Sequence, residues 1–124
     1  MREMTFAKFA KMNRDRCESP RGFNHKLSDW SSSDWITALV GEVGEAANIV
    51  KKLNRYRDSI PGNKASVEAL RDQLRKELGD VYVYLDLTCQ SLGFEVADAA
   101  VEVFEGKSAE IGYSPSPSDQ TGEG

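Results

Sequence analysis

The chain has 124 residues, a net charge of −4 and a pI near 5.0, enough for one compact domain with its own core and too little for two. Its composition of 40% hydrophobic and 29% charged residues is that of an ordinary globular protein, and no apolar run approaches the ~18–20 residues of a membrane span. The acidic balance argues against bulk nucleic-acid binding, and the charged opening MREMTFAKFAKMNRDR lacks a secretory apolar core, so a cytoplasmic protein is expected.

Four helices are predicted in chain order. The first covers TFAKFAKMNRDRC, with Phe6, Phe9, Ala10, Asn13 and Cys17 on one stripe. A loop follows, broken by Pro20, Gly22 and a serine cluster. Ser31 to Asp34 fits a cap with an acid in the first turn, which opens the second helix at about Asp34 and carries it to about Tyr56. Its main apolar stripe is Ile36, Leu39, Val40, Val43, Ala47 and Val50. The loop DSIPGNKAS separates it from a third helix that starts near Ser66 and ends at Gly93. That helix contains the β-prone VYVYL at 81–85, but Leu70, Leu74, Glu77, Val81, Leu85, Thr88 and Leu92 keep helical spacing. It is apolar nearly all round, which predicts packing against a second subunit as well. A fourth helix runs from about Glu95 to Ile111, with Ala97, Ala100, Val101, Phe104 and Ile111 on one side. Residues 1–113 therefore read as a single all-α domain, with a disordered tail at 114–124. Cys17 and Cys89, far apart and outside any C-x-x-C pattern, read as free thiols.

The candidate chemistry lies in two acidic pairs. Glu42 and Glu45 are three residues apart, about 60° on a helical wheel, and Ile49 falls between them. Glu77 and Asp80 repeat the spacing on the third helix, on an arc shared with Leu70, Tyr84 and Thr88. A carboxylate on an apolar face needs a basic partner, a proton or a hard cation, because burying it bare costs several kcal/mol. Taken together, the two pairs point to a metal site, while either alone is commonplace on a helix. Four carboxylates without an associated His or Cys favour Mg²⁺, with Mn²⁺ as the alternative. His25, the single histidine, sits in a loop.

Between the pairs, residues 51–76 carry eight cations against three acids, a net +5. This is either a solvated surface or a basic rim for a polyanion such as a triphosphate. Lys52 lies about 20° from Glu45 on the wheel, two turns on, with Asn48 nearby. Both could meet phosphate oxygens.

With these residues in place, LVGEVGEAANIVKK followed by KELGDVYVYLDL resembles the MazG-like all-α nucleoside triphosphate pyrophosphohydrolases, whose signature is E-x-x-E, a spacer and E-x-x-D. The likeness runs from about Trp30 to Tyr113, with VFEGKSAEIGYSP resembling the family's closing segment. It implies a four-helix bundle-type domain that assembles as a homodimer or homotetramer. The implied reaction is Mg²⁺-dependent hydrolysis of a (d)NTP to the monophosphate and pyrophosphate. Glu42, Glu45, Glu77 and Asp80 would be the metal ligands, and Asn48, Lys52 and Lys107 would contact phosphate or sugar. Two departures stand out: the spacer is long for the family, and Glu105 stands where relatives often carry Asn.

Glu45 could serve as general base. Trp30, Trp35, Phe23, His25 and Tyr84 could stack on a base, although packing is the first reading for each aromatic. A competing reading is a non-enzymatic helical dimerisation module whose acidic pairs are salt-bridged to the basic segment. A third, a nucleic-acid-binding helical protein, predicts steep salt dependence on DNA or RNA.

Overall fold

The computed structural model describes residues 3–116. It contains four helices: α1 (Phe6–Glu18), α2 (Ser32–Arg57), α3 (Val67–Ser91) and α4 (Val96–Ile111), with a single 3-10 turn at Leu27–Asp29. No strand occurs among the described residues, and VYVYL is helical throughout. The expected tail lies mostly outside the described residues. No helix among them is long and apolar enough to cross a membrane.

Local chemistry sets the boundaries. Ser31 and Asp34 form a reciprocal capping box, so α2 opens two residues ahead of the expected Asp34 and uses Asp34, its third residue, as the first-turn acceptor for the Ser31 amide. The Ser66 hydroxyl caps α3 through the Ala69 amide, 3.1 Å away, and Gly93 (φ +80) and Gly112 (φ +72) take the left-handed conformation that closes α3 and α4.

α2 and α3 form an antiparallel hairpin that carries most of the tertiary contact. Its loop is tied back onto α2: Asn63 Nδ2 donates to the Lys52 carbonyl at 2.7 Å, the Arg55 guanidinium to the Pro61 carbonyl, and the Tyr56 hydroxyl to the Ala65 carbonyl. α1 lies across the C-terminal half of α3, and Cys17, Leu27, Trp35 and Leu87 meet there as the core, backed by Val83 and Tyr84. Trp35 is 2% exposed, and its indole N–H donates to the Leu27 carbonyl at 3.0 Å.

The buried face of α2 differs from the expected stripe. Trp35, Ala46 and Ile49 are buried, while Ile36, Val40, Val43 and Val50 are exposed, Val40 by 61%. α2 carries two adjacent apolar arcs, and α3 covers the one centred between Trp35 and Ala46. Glu42 falls within that covered arc and Glu45 at its border. α4 has no buried residue within the chain, and its Phe104 is 63% exposed.

Asp86 anchors α1 to α3. It is 3% exposed, and its Oδ2 accepts from Asn13 Nδ2 and Gln90 Nε2, each at 2.9 Å. Gln90 Nε2 also donates to the Ala10 carbonyl at 3.0 Å. Replacing Asp86 with Ala leaves one amide hydrogen of buried Asn13 and one of half-buried Gln90 without an acceptor and is expected to cost about 1–2 kcal/mol. Urea denaturation of the variant reads this directly, and an unchanged midpoint would show that the anchor contributes nothing.

Candidate active site

The antiparallel pairing of α2 and α3 sets one acidic pair opposite the other. Glu42, Glu45 and Glu77 each present a carboxylate oxygen within 4.8 Å of the other two. Asp80 stands outside that close group, yet its charge bears on both Glu42 and Glu77. Burial first, then the charges of Glu45, Asp80 and Glu77, pushes the Glu42 carboxyl above its ordinary value. Glu77 is raised in the same way by burial and by a proton-sharing contact with Glu45. Its Oε2 is buried with no hydrogen-bond partner.

No ion pair among the described residues includes any of the four acids. Arg75 and Lys76 both pair with Asp72, at 3.0 Å, Arg57 pairs with Asp58 at 2.8 Å, and Lys107 with Glu110 at 3.2 Å. An orphaned buried carboxylate oxygen inside a cation-free, all-oxygen donor set fits a hard divalent ion. Gly41 and Gly44 leave open space beside the ligands, because a Cβ on either would meet nothing within 4 Å.

These shifts carry a pH signature. A carboxyl whose pKa is raised by folding favours the folded state while it holds its proton, and that contribution is lost as the pH climbs through its folded pKa. Metal-free protein should therefore gain stability as the pH falls from neutral toward the ordinary carboxylate value of 4.5. Saturating divalent metal should flatten the trend by holding both groups ionised. Melting temperatures across that range, with and without EDTA, measure it. A metal-free profile that rises with pH throughout would contradict the geometry.

Beside the carboxylates opens a cavity of about 420 Å³, lined by Glu42 and Asp80 on one side and by Asn13, Arg16, His25, Trp30, Trp35 and Tyr84 among others on the other. His25, Trp30 and Trp35 form an edge-to-face cluster, with ring centres 4.6 Å (His25–Trp30) and 4.7 Å (Trp30–Trp35) apart. Trp35 is locked into the core, whereas Trp30 and Tyr84 keep surface toward the cavity. Asn48 is exposed one turn beyond Glu45. Lys52 lines a separate depression with Asn63, Lys64 and Gln73, while Lys107 lies on α4 and does not line the cavity.

The motif reading did not anticipate α1 as a wall of this cavity. Asn13 and Arg16 reach it only because Asp86 holds α1 against α3. An Asn on an otherwise apolar helical stripe was the one available hint.

The MazG nucleotide pyrophosphohydrolase domain family matches residues 31–107, which span the second, third and most of the fourth helix. The chain belongs to this family. Comparison with curated proteins and with solved structures gives no match. As a MazG domain the protein has a family-level activity, nucleotide pyrophosphohydrolysis, that accords with an acidic cluster able to hold a metal. The acidic pairs and the hairpin presenting them lie inside the matched region. The cavity wall built from Asn13 to Trp30 lies ahead of it.

Proposed function

We propose that this MazG domain hydrolyses a nucleoside or deoxynucleoside triphosphate to the monophosphate and pyrophosphate, with Mg²⁺, or Mn²⁺ in its place, held by Glu42, Glu45, Glu77 and Asp80. The observation that carries the proposal is the convergence of three carboxylates within 4.8 Å, without a cation, at the edge of an aromatic-walled cavity. A divalent ion held there would offset phosphate charge and acidify water.

The chain's own residues supply the rest. Glu45, at the exposed border of the cluster, is placed to take the proton of the attacking water on a carboxylate oxygen. The water oxygen bonds to one phosphorus of the α–β phosphoanhydride as that bridge breaks, and the departing group carries the bridging oxygen away as an added negative charge, giving monophosphate and pyrophosphate. Asn48 and Lys52 continue the same helix toward the basic loop, where they would meet the leaving phosphates, and Lys107 would add a further phosphate or sugar contact. Trp30 and Tyr84, with the edge of Trp35, offer faces for the base.

The dimerisation-module reading needs the acidic pairs neutralised by the 51–76 cations. Four of the eight, Arg55, Arg57, Arg75 and Lys76, are engaged with the Pro61 carbonyl, Asp58 and Asp72, and among the described residues none of the eight forms an ion pair with the four acids. No observation favours that reading.

We also propose a homo-oligomer, dimeric or tetrameric, acting on the cytoplasmic nucleotide pool. Two sets of exposed apolar residues, Ile36/Val40/Val43 on α2 and Val101/Val103/Phe104 on α4, are the surfaces that such an assembly would cover. Light scattering should give a multiple of 13.8 kDa, reduced toward the monomer in Phe104→Asp. A wild-type monomer at micromolar concentration would refute this part.

Pyrophosphate release across the common NTPs and dNTPs, with Mg²⁺ and then with EDTA, tests the reaction. Metal-dependent formation of monophosphate and pyrophosphate is the expected result. Folded protein that is inert across the panel would count against it.

A further inference from the structure

The wall of the cavity away from the carboxylates has an uneven supply of hydrogen-bonding groups. Asn13 is 4% exposed, and its Nδ2 donates to the Val83 carbonyl at 3.0 Å and to Asp86 Oδ2 at 2.9 Å. Both amide hydrogens are thereby used. Turned over, the amide would set its oxygen against two acceptors, so the orientation is decided by the network. Asn13 Oδ1 accepts no hydrogen bond from the described residues, and Asn13 lines the cavity.

Neighbouring donors are also committed. Trp35 Nε1 donates to the Leu27 carbonyl at 3.0 Å, and Cys17 Sγ to the His25 carbonyl at 3.1 Å. The wall is left with one group whose polarity the protein fixes, the Asn13 Oδ1 acceptor; His25 Nδ1, buried without a partner, and the Tyr84 hydroxyl, which also line the cavity, can each donate or accept. The Arg16 guanidinium, 5.4 Å from the centre of the Phe23 ring, belongs to the exposed rim.

We infer that Asn13 Oδ1 selects the base of the substrate by accepting a hydrogen bond from an exocyclic amine, so that 4-amino pyrimidine and 6-amino purine nucleotides are preferred over their oxo counterparts. This rests on the pyrophosphohydrolase reading and extends it to the base. The spacing suits a nucleotide. Asp80 stands at the phosphate end, and Val83 and Asp86, which hold Asn13, follow one and about two turns later, about 9 Å along α3. That leaves room for a sugar between the reacting phosphates and the base, whose faces meet Trp30 and Tyr84. An oxo base in the same pose sets a carbonyl oxygen against Asn13 Oδ1, and neither buried acceptor finds a proton.

The test compares kcat/KM within matched pairs, dCTP against dUTP and dATP against dITP, whose members differ by amine or carbonyl and by the proton that the oxo base carries on the adjacent ring nitrogen. Calorimetric binding of dCMP and dUMP runs beside it as a readout independent of turnover. The amino member should lead by at least about tenfold in whichever pair is turned over, and dCMP should bind more tightly than dUMP. In Asn13→Leu, with helical content checked by circular dichroism, the ratio should fall toward one. Should that variant fail to fold, the wild-type ratios and Asn13→Ser decide the matter.

Turnover with a ratio near one, or favouring the oxo member, overturns the role of Asn13 and leaves the reaction standing. No turnover on any nucleotide, with the contrast between dCMP and dUMP intact, overturns the reaction and keeps the base site. Neither turnover nor binding overturns both.

Discussion

Glu42→Gln is expected to reduce metal-dependent pyrophosphate release by at least about a hundredfold while leaving the fold intact and the metal-free protein as stable as the wild type or more so. The two halves of this result have one cause. Glu42 sits on the arc of α2 covered by α3, and its carboxyl is raised by burial and by three neighbouring acids. Its negative charge is a liability to the metal-free fold. Glutamine keeps the shape and removes the charge, which relieves repulsion with Glu45, Asp80 and Glu77. The same charge would supply part of the several kcal/mol with which a held ion stabilises phosphoryl transfer. Steady-state kinetics and a melting curve in EDTA check both halves. A variant that lost its fold, with wild-type protein that bound no metal, would instead favour a structural role for the acidic pairs.

Gly22→Ala should be the most damaging small substitution in the chain. A Cβ at that position would stand 2.0 Å from the carbonyl oxygen of Arg16 and 2.9 Å from its carbonyl carbon. Both atoms are backbone at the last turn of α1. That carbonyl cannot easily give way, since it accepts the Phe23 amide at 2.9 Å, while the next one, on Cys17, accepts the His25 amide at 2.8 Å.

These two bonds fold the 19–25 segment back on α1 and bring Phe23 and His25 to the cavity. The glycine is required by this close approach. We expect a loss of about 2–3 kcal/mol and a fall in Tm of about 10 °C, together with a raised KM for nucleotide as the cavity wall shifts. Gly41→Ala is the control: its Cβ meets nothing within 4 Å, so inside a helix it should be neutral or stabilising by up to about 1 kcal/mol. Equal melting temperatures for Gly22→Ala and wild type would mean that the segment does not need this contact.

Much of this architecture could be read along the chain because it depends on neighbours in sequence. Ser31 with Asp34, Ser66, Gly93 and Gly112 mark helix ends by hydrogen bonds and backbone conformations that span only a few residues. VYVYL is helical because the apolar spacing around it outweighs its β preference. Glu42 with Glu45 and Glu77 with Asp80 were legible as two i, i+3 pairs, and a short loop between long helices brings such pairs face to face.

The apolar arcs of α2 were not legible in the same way. Two adjacent stripes were each wide enough to be a core face, and periodicity ranks neither. The choice fell to α3, which covers the arc holding Trp35, Ala46 and Ile49 and so draws Glu42 into a low-dielectric setting. Exposure of Val40 and Val43 follows from the same choice.

The role of α1 was hidden for a different reason: Asn13 meets Asp86 across 73 residues of sequence, and no local pattern encodes a contact of that range. The sequence by itself determined that this protein is all-helical, where its helices begin and end to within a residue or two, and that its acids fall in two i, i+3 pairs, since each of these depends on interactions within a turn or two of the chain. Only the tertiary structure decided which faces are buried, that Glu77 has an oxygen without a donor, and that Asn13 turns its acceptor toward the cavity, because burial and hydrogen-bond satisfaction belong to surfaces that segments distant in the chain make together.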